Sequence, residues 1–384
     1  MALVLNEEQR ILKDSAKGFL AEHAPIEAFR ALRDQKDTTG YDPELWAKMV
    51  NEQGWAGIAI PEAFGGLEFG FFGLGVIFEE AGRTLAASPL FSTIVLGAST
   101  VELLASDAQK DTLLPQIAAG EITLALALEE GNQHAPYAIN TSATRDGEHF
   151  VLNGSKSFVL DGHSADKLLV VARTDSVSND DANPAAGISV FLVDNDTAGL
   201  SINRTIMMDS RNAAQVQLDN VRLSADALIG EAGQAYPALD DVLDRGRAIL
   251  AAEMLGGCLE MFERTMAYLK EREQFGVKIG SFQALKHRAA QMFVEIELSK
   301  SVVLAALAAI DDNADNRAEL AAIAKTKLND TFKLVTDEAT QMHGGIGVTD
   351  ELDIGLFLKR ARAAIATLGH SSFLRDRYAS LNGY

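Results

Sequence analysis

Residues 146–162 read DGEHFVLNGSKSFVLDG. Two short runs of alternating character, EHFVLNG and SKSFVL, are separated by Asp-Gly and Asn-Gly pairs, the pattern of strands bounded by tight turns. The same texture extends from about residue 123 to 224, through TLALAL, TSATRD, KLLVVART, GISVFLVD and AQVQLDNVRL. The polar, proline-containing stretch Asp175–Ala186 is expected to be a surface loop. On either side the hydrophobic period changes to that of helices. Toward the N-terminus, Leu5, Gln9, Leu12, Ala16, Phe19 and Leu20 fall on an amphipathic spacing, with Asn6 placed to cap it ahead of Glu7 and Glu8. Pro43–Gln53 repeats that pattern and Gly54 is placed to end it. Residues 74–87 and 95–119 read as further helices. Toward the C-terminus, 238–271, 281–311, 314–342 and 351–379 read as long helices. The reading is an α+β chain in three parts: an N-terminal helical domain at 1–122, a middle antiparallel β-domain at 123–235, and a C-terminal four-helix bundle at 236–384.

Consecutive strands argue against a doubly wound nucleotide fold, in which strands alternate with helices. No G-x-G-x-x-G or P-loop occurs either. The chain has 384 residues, 47% of them hydrophobic, and a formal net charge of −20. That charge weighs against nucleic acid and anionic membrane as partners. Cys258 is the one cysteine, so an internal disulfide and a Cys-based zinc site are excluded. The seven histidines show no metal-ligand spacing, and no metal is expected. The opening is too polar for a signal peptide, and the expected setting is cytoplasmic.

Two stretches stand out chemically. KEREQFGVKIGSFQALKHRAAQM, residues 270–292, reads as a helix, a loop at Gly276–Gly280 and a new helix capped by Ser281. It crowds Arg272, Gln274, Phe275, Phe282 and Gln283 around one turn. An arginine beside aromatics and carboxamides can pair with a pyrophosphate while the rings pack on a planar ligand. ATQMHGGIGVTDEL, residues 339–352, reads as a helix stopped by Gly344 and Gly345, with Gln341 one turn before them.

In this order and spacing, REQFG, IGSFQA and QMHGGIG together resemble the acyl-CoA dehydrogenase family. The resemblance covers nearly the whole chain, through EEQRILKDSAKGFLAE, GWAGIAIPEAFGG, FEEAGRTLAASP, NGSKSFVLDG and RAILAAEMLGG. It implies FAD as cofactor, held by Arg272, Gln274, Phe275, Phe282 and Gln283 of one chain with Gln341, Gly344 and Gly345 of another. It also implies an acyl-CoA substrate, from which a carboxylate takes the α-proton while the flavin accepts the β-hydrogen as hydride. Electron-transfer flavoprotein is the expected electron acceptor.

The chain departs from the family where that chemistry happens. In the ATLGHSS stretch, the place of the family's usual catalytic glutamate is Leu368. The alternative place, on the first helix of the C-terminal block, is Gly246 in Asp244-Arg245-Gly246-Arg247. Asp244 lies about 200° around a helix from position 246, and Val242, Leu243, Ile249 and Leu250, which share the face of Gly246, cannot accept a proton. Within Phe158-Val159-Leu160-Asp161-Gly162, leucine stands at 160 where the family commonly carries a flavin-facing hydroxyl, and Phe158 stands in place of a tryptophan. LEEGNQHA, residues 128–135, replaces a family motif like T-E-P-G-A-G-S-D. FVLDG, GVKIGSFQALKHRA and HGGIGVTDEL resemble the small subunit of pimeloyl-CoA-type heteromers. The expected function is therefore an acyl-CoA dehydrogenase subunit that lacks its own glutamate and works with a paralogous partner. The alternatives are a self-sufficient homotetramer with an unrecognised base, and a non-catalytic acyl-CoA-binding scaffold. An oligomer is expected in the first two, because SVVLAALAAI at 301–310 offers more small and apolar surface than one helical layer buries.

Overall fold

The computed structural model describes residues 4–174 and 183–384. Most of the loop expected at Asp175–Ala186 lies outside the described residues. The chain begins with helices α1 (Glu7–His23), α2 (Ile26–Asp34), α3 (Pro43–Asn51) and α4 (Gly70–Thr84). A π-helix at Phe91–Ala98 follows, then α5 (Ser99–Leu104) and α6 (Asp107–Ala118). Asn6 caps α1 as its sequence position suggests. Its side chain accepts from the Gln9 backbone at 2.8 Å and the Gln9 side chain accepts from the Asn6 backbone at 2.9 Å, a complete capping box.

The middle strands are β1 (Leu124–Ala127), β2 (Ser142–Asp146), β3 (His149–Leu160), β4 (Lys167–Thr174), β5 (Ile188–Asp194), β6 (Leu200–Ile206), β7 (Asn212–Ser224) and β8 (Leu228–Ile229). They form one sheet ordered β6-β7-β3-β2-β4-β5-β8, with β1 added on β4. Most pairs are antiparallel, while β1 and β2 both run parallel to β4. Phe150, Leu152, Val170, Phe191, Val216 and Leu218 fill its apolar core.

Three details differ from the sequence reading. Asn153-Gly154 is no turn: β3 runs straight through it, and the pairing with β7 absorbs the irregularity as a register shift between Leu152 and Gly154. Edge strand β6 was not foreseen, because LSINRTI is half polar and holds its place through pairing with β7 alone. The helix expected at 351–379 is two helices, α10 (Ile354–Ala366) and α11 (Ser371–Leu381). The break between them comes from Leu368 at φ +56° and Gly369 at φ +112°, which no α-helix accommodates.

Before that break come α7 (Tyr236–Glu271), a two-residue hairpin of β9 (Glu273–Gln274) and β10 (Val277–Lys278), α8 (Gln283–Asp311) and α9 (Arg317–His343). The α8 cap is Phe282, one residue later than expected, and Ser281 instead donates its hydroxyl to the Lys278 carbonyl at 2.6 Å.

The chain divides into two compact units. The first comprises Met1–Ala31, Phe71–Ala86 and Arg247–Tyr384, and the second Leu32–Gly70 and Ala87–Gly246. Within the first, α4 and α7 touch backbone to backbone. A Cβ on Gly82 would lie 2.0 Å from the Glu253 carbonyl oxygen, and one on Gly256 would lie 1.7 Å from that of Glu79. Only glycine permits that crossing. A buried ion pair, Arg360 to Glu253 at 2.9 Å, joins α10 to α7 in the same unit. No helix among the described residues is long and apolar enough to cross a membrane.

Candidate functional site

The residues singled out in the sequence lie in three places, each shaped by backbone that ordinary side chains avoid. Only ten non-glycine residues are described at positive φ, and Phe158, Asp161, Phe275 and Leu368 are among them. Bulky residues in that region are strained and persist where surrounding structure demands it, which is common at functional sites.

The first place is the junction of α7 and α8. Phe275 at φ +54° and Gly276 at φ +75° turn the β9–β10 hairpin. Phe275 is 92% exposed and meets Phe282 edge-on, with ring centroids 6.2 Å apart. Arg272, Gln274 and Gln283 are exposed around the same turn. The Arg272 backbone is fixed, donating to Tyr268 O and accepting from the Ile279 amide, each at 2.9 Å. Its guanidinium has no partner among the described residues. The end of α9 lies alongside: the His343 and Tyr268 rings stack 4.3 Å apart, and the Tyr268 hydroxyl donates to the His343 carbonyl at 3.3 Å. Gln341 is exposed one turn before the end of α9, and a Cβ on Gly344 or Gly345 would meet no atom within 4 Å. The structure thus holds both signature motifs at neighbouring helix ends, with the Arg272 guanidinium uncommitted and the carboxamides of Gln274 and Gln283 holding only local bonds, to the Glu273 carbonyl at 2.7 Å and to the His287 ring at 3.3 Å. A free cation with exposed carboxamides and aromatic rings on a fixed backbone fits a diphosphate joined to flat rings.

The second place is the end of β3. Phe158, at φ +51° and 41% exposed, sits inside a bulge between Lys156 and Val159. Asp161 at φ +55° accepts the hydroxyl of buried Ser92, on the π-helix, at 2.7 Å. Nearby, LEEGNQHA is tied down by acids. Glu129 meets His134 Nδ1 at 2.5 Å, and Glu130 accepts Lys156 Nζ at 2.6 Å together with the Asn140 and Thr141 amides. Burial pushes the Glu130 carboxyl up, yet Lys156 and the Thr141 hydrogen bonds carry it below its ordinary value. Burial lowers the Lys156 ammonium to about 8 against the opposing pull of Glu130. Sequence reasoning noted this segment's departure without finding the lysine that holds it. In the same unit Thr174, Ala186, Gly187, Gly233, Tyr236 and Pro237 line a surface cavity of about 530 Å³, also unforeseen.

The third place is the 367–370 turn. Leu368 is 8% exposed and its carbonyl accepts Arg247 Nε at 3.1 Å. Arg247 follows Gly246 in the chain, so both positions at which a glutamate was sought are anchored to one stretch of α7. From α9, fully buried Lys325 donates to Asn329 Oδ1 at 2.5 Å, Ala364 O at 3.0 Å and Gly369 O at 3.4 Å. Burial first, and then the Arg247 charge, push its ammonium well below the ordinary lysine range. Sequence reading missed Lys325. The signal was available, since AAIAKTKL places a lysine on the buried Ala321-Ala322-Ala324-Leu328 side of a helix. Glu253, a buried acid on α7, is committed to Arg360.

Models of the acyl-CoA dehydrogenase N-terminal, middle and C-terminal domains match residues 6–121, 125–221 and 236–380. The chain belongs to the acyl-CoA dehydrogenase family. It is 30% identical over 370 residues to acyl-CoA dehydrogenase FadE12 of Mycobacterium tuberculosis (strain H37Rv), covering 94% of this chain and 92% of that one. Among solved structures, a variant of the Tcur3481–Tcur3483 steroid dehydrogenase of this family is 32% identical with a TM-score of 0.86, covering 98% of both chains. Butyryl-CoA dehydrogenase from Megasphaera elsdenii is 25% identical with a TM-score of 0.89, covering 99% of both. The protein is therefore an oxidoreductase-family flavoprotein with FAD as its cofactor, and the donor set at the α7–α8 junction suits that cofactor. Among the described residues no cluster could hold a metal ion.

Proposed function

We propose that this chain is the flavin-holding, base-deficient subunit of an acyl-CoA dehydrogenase, and that a paralogous chain supplies the glutamate. One observation carries the reading: Leu368 and Gly246 stand at both places the family uses for its base, and Glu253 is locked to Arg360. Arg272 would pair with the cofactor's diphosphate, Phe275 and Phe282 would pack on its flat rings, and Gln274 and Gln283 would meet its polar groups. Gln341, Gly344 and Gly345 of a second chain complete that end. FAD, when bound, accepts the β-hydrogen as hydride and passes electrons on, with electron-transfer flavoprotein as the acceptor. The chain's own residues bind, orient and exclude water, and the α-proton leaves to the partner's carboxylate.

An oligomeric setting is supported by α8, where Phe293, Val294 and Leu298 are each more than 50% exposed. The similarity to the Tcur3481–Tcur3483 steroid dehydrogenase supports a bulky acyl group and a paralogous partner. Lone, buried Cys258 and the acidic composition support a cytoplasmic setting.

The test is flavin content and turnover of the chain alone and after co-expression with a glutamate-bearing paralogue. Loading and acyl-CoA oxidation that depend on co-expression support the proposal. Full activity of the chain alone overturns it, and no flavin in either preparation points to the scaffold alternative.

A further inference from the structure

The 367–370 turn is held more elaborately than a leucine requires. Two cations from two different helices, Arg247 on α7 and Lys325 on α9, reach the carbonyls of consecutive residues, Leu368 and Gly369. Both cations are 0% exposed. Every recorded acceptor of Lys325 is neutral: one carboxamide oxygen and two carbonyls. A buried ammonium whose own acceptors are all neutral is short of a counter-charge, whereas Arg247 has further interactions of its own. The other charged groups near the turn are spoken for. Asp330 takes the Ser371 hydroxyl at 2.9 Å and Arg375 at 2.6 Å on the exposed side, and His370 caps α11 through the Phe373 amide. Asp244, also buried, precedes Arg247 by three residues on α7 and makes interactions of its own.

We propose that Lys325 and Arg247 are positioning residues that make position 368 a seat for a carboxylate, a seat that leucine fills in this chain. The inference rests on the proposed function only in taking 368 as a place of the base. Arg247 fixes where the residue at 368 leaves the backbone. Lys325, bonded to Ala364 and Gly369, fixes the end of α10 and the start of the turn on either side of it. A glutamate at 368 would stand between the backbone points that Arg247 and Lys325 hold, in the field of an ammonium whose own acceptors are all neutral. In a poorly screened interior that field favours the ionised form. The substitution of leucine then removed the anion and left its surroundings standing.

Leu368→Glu and Leu368→Gln share size, shape and the same strained backbone, and differ only in charge. At pH 7 the Glu variant should melt at or above the Gln variant. With Lys325→Met added to each, the Glu variant should fall below the Gln variant by about 2 °C or more. Lys325→Arg should restore the parent order, which a purely space-filling role for Lys325 would not do. A Glu variant that melts below its amide in the parent chain overturns the proposal, as does an equal gap in both backgrounds. If Lys325→Met does not fold, the parent comparison still decides, because an uncompensated buried carboxylate melts lower than its amide. The measurement needs no flavin, substrate or partner. A failure here leaves the base-deficient reading untouched, and activity of the chain alone leaves this one untouched.

Discussion

The α7–α8 junction and the 367–370 turn lie in the same unit and share α7 as a support, yet they are built in opposite ways. At the junction the backbone is fixed and the side chains are open: Arg272 has no partner among the described residues and Phe275 is 92% exposed. At the turn everything is closed, with Leu368 8% exposed and its carbonyl bonded to a buried arginine. Open groups on a rigid frame are prepared for something that arrives from outside. Closed groups are prepared for their own chain. On the proposed function, the contrast separates a cofactor-facing region left open from a turn closed by packing.

The largest effect that could break this comparison is activity itself. The isolated chain, even with FAD and an acyl-CoA bound, should bleach its flavin anaerobically about 10²–10⁴-fold more slowly than with a glutamate-bearing paralogue, the usual contribution of a general base. Rapid bleaching by the chain alone would show that the closed turn is not where proton transfer was lost.

Arg272→Ala sharpens the other half. A charge-assisted contact to a diphosphate contributes roughly 1.5–3 kcal/mol, so the variant should lose FAD on dialysis at least ten times more readily. Equal flavin content after identical dialysis would show that the exposed guanidinium has another purpose. The exposed apolar residues of α8 invite a parallel measurement. Phe293→Glu with Leu298→Glu should leave the fold intact and shift sedimentation toward smaller species at micromolar concentration; an unchanged profile would place the subunit contact elsewhere.

The smallest effect concerns Lys156. Its folded value of about 8 lies below the ordinary 10.5, so the unfolded chain binds more protons between those two pH values. Stability contributed at this position should therefore rise as pH increases from about 8 toward 10.5. Measured against Lys156→Met, the melting temperature of the parent chain should gain with pH in that window. A flat difference would mean that Glu130 holds the lysine fully charged throughout.

Much of this was legible without coordinates. Period changes alone separate helical, β and helical blocks, because alternation and 3.6-residue spacing are local consequences of which face is buried. The signature motifs were legible as chemistry because arginine, carboxamides and aromatics cluster within a few residues of one another. Less local features were not. LSINRTI is a strand only because β7 is there to pair with it, and Asn153-Gly154 is not a turn because β7 holds β3 extended past it. The break between α10 and α11 carried only the signal of one glycine, Gly369, with no proline beside it.

The sequence by itself determined the family, the order of the blocks, the cluster of arginine, carboxamides and aromatics at 272–283 and the absence of a carboxylate at 246 and 368, since each is a matter of residue identity at short range. Only the tertiary structure decided what surrounds the missing carboxylate. Lys325 lies 43 residues before Leu368 and Arg247 lies 121 before it, and no periodicity reports a contact across such distances. Packing of α7, α9 and α10 brings two buried cations to one turn. The physical reason is that a charge's partner is set by three-dimensional enclosure and dielectric, which a linear pattern does not contain.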